Sequence, residues 1–206
     1  HPPDPTTLRT ISRRRGSRPE PVGRWGVHMD RIGAALEREG HVLETLLFKL
    51  VETRLLLESG ETRFLSRATR EVERARIRAR EADLMRAAVV TEVRSGATLR
   101  SLADAAADPW PAILRDHHTL LANLVAEIEV TAHRNSAEAR AGLEALHASR
   151  VPEAVPSLVA AGSPAPPSDE EPEDPELAYL ARGAAYEAVL GTAARLRMPD
   201  LLDFLR

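Results

Sequence analysis

The chain has 206 residues with 28 basic and 31 acidic side chains, a formal net charge of −3 and no cysteine. This balance gives no overall attraction to nucleic acid or to an anionic membrane, and the lack of cysteine excludes disulfides, thiolate catalysis and cysteine-bound metals. Aromatic residues make up only 3 % of the chain, so β-strands have few of the side chains that favour them. The composition therefore predicts an all-α fold.

The first 28 residues are rich in proline, glycine and arginine and show no helical or strand period. Such a segment is predicted to be a disordered extension, and the periodic sequence begins after it, at Met29. No apolar run reaches the ~18–20 residues that cross a membrane, and no leader-like pattern stands at the start. We therefore expect a cytoplasmic protein without membrane insertion.

Two long amphipathic helices are predicted next, joined by a tight turn at Ser59 and Gly60, because glycine commonly follows a helix end. The apolar positions of the second helix are mostly alanine, which lets two helices approach closely. We expect an elongated antiparallel hairpin with arms of about 45 Å. The positions that define the two helices are Leu36, Leu43, Leu47, Leu50 and Leu57, then Leu65, Ala68, Val72, Ala75, Ala79, Ala82, Val89 and Val93.

A third helix completes the predicted bundle, which spans residues 29–150. After a helix stop at Gly96, Asp108 is the predicted N-cap and Pro109 the first helical residue, and Trp110 is expected to wedge the connecting turn. The apolar stripe of this helix is wide enough to leave surface for a partner. It consists of Ile113, Leu114, Leu120, Leu121, Leu124, Val125 and Ile128.

A tethered tail helix is predicted at the end of the sequence. Residues 151–176 contain seven prolines and a block of acids, a composition that predicts a linker. Asp174 and Pro175 have the residue types of an N-cap and a first helical position. Residues 177–206 are then expected to form an amphipathic helix that Pro199 interrupts.

No catalytic, metal or cofactor site is expected. His117 and His118 are adjacent, so in a helix they point about 100° apart and cannot grip one ion. The carboxylates are predicted to lie on exposed faces paired with arginines. There is no glycine-rich phosphate loop and no serine in a nucleophile setting. The sequence therefore predicts a protein that is not an enzyme.

A run of arginines on the second helix raises the alternative of nucleic-acid binding. Acidic residues are interleaved with it, and residues 61–86 contain eight arginines against five acids. We therefore expect a solvated face without nucleic acid as a partner. The run consists of Arg63, Arg67, Arg70, Arg74 and Arg78.

Residues 37–75, 97–118 and 124–146 together resemble the FlgN family of flagellar export chaperones from high-GC Gram-positive bacteria. The features that carry the resemblance are the "LLFKL" run, the hairpin at Gly60, the "DPW" junction at 108–110 and "RN" at 134–135. The resemblance implies a cytoplasmic helical chaperone that holds hook–filament junction proteins before type III export and covers their C-terminal amphipathic helices. It also implies contacts with export-gate components, and it supplies no catalytic residues.

The tail "AYEAVLGTAARLRMPDLLDFLR" resembles the end of the junction protein FlgL and, less closely, of FlgK. It therefore resembles a client of this chaperone class, attached to the chaperone itself. We expect the client-binding groove to consist of Leu120, Leu121, Leu124, Val125 and Ile128. We expect it to face Tyr186, Val189, Leu190, Ala193 and Leu196, with Leu201, Leu202 and Phe204 as further client-like residues of the tail.

Two alternatives remain beside a self-occupied chaperone. In the first, the tail is a fourth core helix of a structural helical-bundle protein and does not resemble a client for any functional reason. In the second, the chain is a fusion of neighbouring flagellar genes or a misread frame, in keeping with its start at His1. A coiled-coil protein that self-associates through the alanine-rich seam is a related structural alternative.

Overall fold

A computed structural model of the chain describes residues 22–149 and 174–206. These two ranges contain helices and no strand, which confirms the predicted all-α fold. The helices are α1 (Val22–Glu58), α2 (Thr62–Val93), α3 (Leu99–Ala105), α4 (Trp110–Ser149), α5 (Pro175–Ala194) and α6 (Pro199–Leu205).

The first two helices form the predicted antiparallel hairpin. Gly60 lies between them with a φ of 72°, a left-handed conformation that glycine adopts without a steric penalty. Its N–H donates to the carbonyl of Leu57 at 3.1 Å and so satisfies one of the last carbonyls of α1. The alanine-rich seam of α2 is buried from Leu65 to Ala82, as its spacing predicts.

The predicted boundaries of the bundle and the linker differ from the structure at both ends. Helix α1 already begins at Val22, so residues 22–28 are helical and not part of a disordered extension. Trp25, Met29 and Ile32 continue one apolar stripe at spacings of four and three, and all three pack into the core. Residues 1–21 and 150–173, which hold most of the predicted extension and linker, lie outside the described residues.

The start of the tail helix is defined by its cap. The Asp174 carboxylate accepts the N–H of Glu176 at 3.0 Å, and Pro175 occupies the first turn. Because an N-terminal proline has no N–H to leave unpaired, the helix begins at Pro175. Residues 175 and 176 therefore belong to the tail and not to the predicted linker.

The junction before α4 also differs by one residue from its prediction, which placed Asp108 as the N-cap and Pro109 as the first helical residue. Asp108 and Pro109 form a turn with a cis peptide bond, and α4 begins at Trp110. The Trp110 ring lies against Gly33 of α1, where an added Cβ would be 3.1 Å from the ring. The indole thus packs α4 against α1, whereas the sequence predicted that it wedges the connecting turn.

The helices are arranged around α1, which packs against α2 on one side and α4 on the other. Helix α5 lies between α2 and α4, antiparallel to α4, and completes a four-helix bundle. The short helix α6 continues past α5 and packs on α3 and α4. The walls of the resulting groove are α2 and α4, its floor is α1, and its occupant is the tail. In the two described ranges, no helix has the combined length and apolarity needed to cross a bilayer.

A helix-binding groove with an apolar half and a charged half

The half of the groove near the hairpin turn, which we call the apolar half, is built from small side chains. Leu65 of α2 and Ala139 of α4 form one buried cluster with Ala185 and Val189 of α5. Gly142 of α4 makes room for the tail, since a Cβ there would lie 2.5 Å from the Tyr186 ring. Small residues on facing helices permit this close approach. The tail therefore fits here by shape and apolar contact.

Buried threonines and one asparagine border the apolar half. Thr69 and Thr192 each bond to a carbonyl of their own helix, at 2.9 Å in both cases. Asn135 of α4 is 1 % exposed, and its amide N–H donates to the Leu50 carbonyl of α1 at 2.9 Å. Buried polar groups need such partners, so this bond fixes α4 against α1.

The other half, which we call the charged half, contains three buried ionisable side chains. Glu39 of α1 and Arg86 of α2 have side chains only 1 % and 3 % exposed, and Arg86 Nε lies 2.8 Å from a Glu39 oxygen. The guanidinium also pairs with the Asp83 carboxylate one turn earlier on α2. The Nε–H does not point along the line to Glu39, so among the described residues neither Glu39 oxygen has an aligned hydrogen bond. One arginine thus serves two buried carboxylates.

The electrostatic consequence falls on Glu39. Burial raises the pKa of its carboxyl from 4.5 to about 7; Arg86 opposes this rise and Asp83 adds to it. Desolvation exceeds the attraction of a single shared guanidinium because a buried carboxylate loses its water without gaining full hydrogen bonding. Near neutral pH, Glu39 is therefore close to half protonated.

The tail covers this charged half. The Phe204 ring of α6 lies over the Arg86 guanidinium, with 4.0 Å between its carbon and the ring centroid. Arg80 of α2 binds Asp83 at 2.6 Å and Asp200 of the tail at 2.5 Å. A chain of charges therefore runs from the core to the tail. A small cavity of about 40 Å³ beside Glu39 is lined in part by Met198 and Leu201.

The sequence reasoning missed this charged half, because it placed the carboxylates on exposed faces. That expectation is wrong for Glu39 and Asp83, which are 1 % and 8 % exposed. A signal was present in the spacing. Glu39 stands between Leu36 and Leu43 of the α1 seam, and Arg86 follows Ala82 of the α2 seam by four residues. Opposite charges at seam positions of paired helices are expected to meet inside.

The predicted groove residues of α4 have two different environments. Leu120 is 41 % exposed and lies near Gly40 of α1, so it faces away from the tail. The other four are buried in the main core cluster, which also contains Leu196, Leu201, Phe204 and Leu205 of the tail. They are Leu121, Leu124, Val125 and Ile128.

The predicted tail residues lie farther along α4 than expected. Tyr186 sits beside Gly142, and Leu190 and Ala193 border a pocket with Ala132 and Ser136. Val189 lies near Asn135. The predicted pairing with residues 120–128 is therefore wrong for Tyr186, Val189 and Leu190. Leu196 belongs to the cluster that contains that segment, and Ala193 packs against the same cluster. Leu202 is 37 % exposed and lies at the surface. A client-binding role for any of these residues stays a prediction.

The arginine run of α2 is exposed, as expected of a solvated face. Arg63 pairs with Glu61 at 3.0 Å and Arg67 with Glu71 at 3.2 Å. Glu71 also binds Lys49 of α1, and these partners lower the pKa of its carboxyl. In the part of the chain that the structure describes, no group of three His, Asp or Glu side chains could hold a metal ion.

Comparisons with known proteins found no match from which a function could be assigned. No protein family, no curated protein and no solved structure matches the chain.

Proposed function

We propose that the protein is a flagellar type III export chaperone that binds the C-terminal amphipathic helices of hook–filament junction proteins. In the state described here, its own client-like tail occupies the binding groove. The observation that carries the proposal is the position of α5 and α6, which fill a groove between α2 and α4. Helix-in-groove recognition uses this kind of apolar trough and amphipathic occupant.

The construction of the groove supports the proposal. Its walls belong to helices that α1 already joins, through the hairpin at Gly60 on one side and the bond between Asn135 and Leu50 on the other. The tail takes part in neither the turn at Gly60 nor the hydrogen bond between Asn135 and Leu50. A groove whose walls are held independently of its occupant is suited to exchanging one helix for another.

The tether makes self-occupancy strong. The proline-rich and acidic composition of the sequence between Ser149 and Asp174 predicts a linker, and a linker of about 24 residues has a root-mean-square reach of about 25–30 Å if it behaves as a flexible coil. Tethering over such a distance gives an effective concentration on the order of 1 mM. If the free tail binds with a Kd near 1 μM, the closed form outweighs the open form by about a thousandfold. A client in trans then competes poorly until the tail is released.

The test compares binding of a junction-protein tail peptide to the full chain and to a chain ending at Arg150, by calorimetry. We expect at least about tenfold tighter binding to the shortened chain, because the cis competitor is gone. Equal affinities would contradict self-occupancy. No binding to either chain would contradict the chaperone function.

A matched pair of full-length variants keeps the test independent of truncation. Val189→Asp places a charge at a site only 3 % exposed, whereas Leu177→Asp makes the same kind of change at a site 64 % exposed on the same helix. A buried unpaired charge is strongly unfavourable. We therefore expect Val189→Asp to open the groove and increase client binding, and Leu177→Asp to leave it unchanged.

The second candidate is a structural bundle whose fourth helix never leaves. The burial of Ala185, Val189 and Thr192 of α5 favours it, because these residues complete the core of the hairpin end. On this proposal, Val189→Asp lowers the free energy of unfolding of the whole chain and creates no binding site for a client peptide.

A further inference from the structure

The short helix α6 meets the groove through two side chains that are spaced four residues apart. Asp200 binds Arg80 at 2.5 Å, and Phe204 covers the Arg86 guanidinium at 4.0 Å. Residues four apart lie on the same face of a helix. A single helical turn therefore presents an acid and an aromatic ring to two arginines of α2.

A third contact, with α4, determines how deeply this helical turn sits in the groove. His118 of α4 has its Nε2 atom 2.8 Å from the carbonyl oxygen of Leu205. A carbonyl oxygen only accepts, so Nε2 carries the proton in this bond. The bond is to the backbone and does not depend on the side chain at 205. It positions any helix of this length without selecting its sequence.

The Arg86 contact is selective because of what lies beneath it. The guanidinium edges are engaged by Glu39 and Asp83, so the tail meets only its flat face, and that face is buried. An aromatic ring over this face excludes water and keeps an attraction to the cation. An aliphatic side chain would exclude the same water without that attraction. The site therefore favours an aromatic ring.

We propose that Arg80 and Arg86 form a reading site for a helix that has an acidic residue four positions before an aromatic one. The occupant at rest is the turn from Asp200 to Phe204, and the partner in trans is an amphipathic helix of another protein with the same acid–aromatic spacing. The inference rests on the proposed function in that it describes how the same groove chooses its client. It adds the chemical requirement that a client must meet at the charged half.

The test uses the full chain, made with a protease site inserted between residues 150 and 173 and cut after folding. The cut tail then dissociates and exchanges with a labelled synthetic peptide of residues 174–206, followed by fluorescence anisotropy. The changes to the tail are made in unlabelled competitor peptides, so none of these peptide variants can fail by unfolding the groove. The series contains the native tail, Phe204→Leu, cyclohexylalanine in place of Phe204, Asp200→Asn, and Leu202→Ala as the surface control.

The expected order follows the contacts. Phe204→Leu competes about tenfold less well, and the saturated ring about fivefold less well, because it keeps the volume of phenylalanine but loses the attraction to the cation. Asp200→Asn loses about threefold, since an exposed ion pair contributes little. Leu202→Ala stays within about twofold. With Arg80→Glu in the cut chain, an Asp200→Lys peptide is expected to bind better than the native peptide.

Several results would overturn the inference. Equal competition by the saturated ring and the native tail would show that the site only fills space. Failure of the charge reversal to invert the preference would remove Arg80 from the reading site, and failure of the native peptide to exchange at all would mean that the site is not open to a partner. Light scattering of the uncut chain at about 50 μM that showed tail-exchanged dimers would assign a second copy as the occupant.

The outcomes separate this inference from the proposed function. Junction-protein peptides that bind equally well with and without the acid–aromatic pair would overturn the reading site and leave the chaperone function standing. If no junction-protein peptide binds while the ring and charge preferences of the tail series hold, the chaperone function fails and the reading site stands.

Discussion

The two halves of the groove hold the same tail by different physical means. In the apolar half, Leu65, Ala139 and Val189 make contacts that tolerate any small apolar side chain. In the charged half, Glu39 and Arg86 are buried and need an occupant with a particular shape and charge. Apolar area gives affinity in proportion to what is buried, whereas buried charges penalise an occupant that covers them badly. The comparison teaches that affinity and selectivity can be located at opposite ends of one groove.

The largest expected effect comes from removing the arginine of the charged half. Arg86→Met leaves Glu39 and Asp83 buried without their shared cation, and breaking a buried ion pair in this way typically lowers the free energy of unfolding by about 3–5 kcal/mol. Urea unfolding followed by circular dichroism measures the change.

The control for this change removes the whole cluster. Glu39→Met, Asp83→Asn and Arg86→Met together replace the charges by side chains of similar size, a change that is often neutral or stabilising. We expect the triple variant to recover most of the loss. If Arg86→Met alone unfolds at the same urea concentration as the native chain, the charged half has no structural importance.

The apolar half is expected to respond next. Leu65 is 0 % exposed, and truncating such a leucine to alanine typically lowers the free energy of unfolding by about 2–4 kcal/mol. Leu65→Ala should therefore loosen the apolar half, with faster amide exchange in α5 around residues 185–192 than in α6. The reverse order, with α6 exchanging first, would contradict the division of the groove into two halves. Leu84→Ala, at a site 55 % exposed on the same helix, is the control.

The pH dependence sharpens the comparison, because the charged half contains a buried carboxyl whose pKa is raised toward neutrality. Burial raises the pKa of Glu39 from 4.5 to about 7, so between these values the folded state binds more protons than the unfolded state. The stability that this group contributes is present at low pH and is lost as the pH rises through 7.

The measurement is the difference in free energy of unfolding between the native chain and Glu39→Gln. Gln cannot ionise, so other titrating groups cancel in the difference. We expect the native chain to lose roughly 2–3 kcal/mol relative to the variant between pH 5 and pH 8, since one pKa unit corresponds to about 1.4 kcal/mol. If the difference in free energy of unfolding stays constant or rises with pH, burial does not raise the pKa of Glu39.

The smallest effect is expected at the outer edge of the charged half. Arg80 and Asp200 have side chains 49 % and 59 % exposed, and exposed ion pairs contribute about 0–1 kcal/mol. Arg80→Gln should therefore lower the free energy of unfolding by less than about 1 kcal/mol, and salt should remove the difference. Arg31→Gln, which removes an ion pair of similar exposure between α1 and α2, is the matched control and should leave tail binding unchanged.

The sequence predicted which residues form helices and which faces are buried, but not which helices become neighbours. The spacing of Leu121, Leu124, Val125 and Ile128 correctly marks one face of α4, and all four are buried. The same spacing does not say where along α4 another helix lies. The tail residues Tyr186 and Val189 are therefore displaced by about three turns from the predicted contact.

Charged residues in the seam were the second failure of sequence reasoning. Glu39 and Arg86 are each compatible with an exposed helix face by residue type, because lone charges are rarely buried. The two charges can be buried without a large free-energy penalty only when they pair across α1 and α2. That pairing depends on the register of the hairpin. The register follows from the turn at Gly60, but Glu39 lies 21 residues before Gly60 and Arg86 lies 26 residues after it, so equal counting from the turn does not pair them.

The buried amide of Asn135 determines how α4 is aligned on α1. If α4 slid along α1 by half a turn, or about 2.7 Å, the amide of Asn135 would lose its bond to the Leu50 carbonyl. An unsatisfied buried donor is unfavourable by about 1–3 kcal/mol, and a single buried asparagine is known to hold helices in one alignment. Sliding is thus disfavoured while the tail is docked, and the wall formed by α4 keeps one alignment on α1.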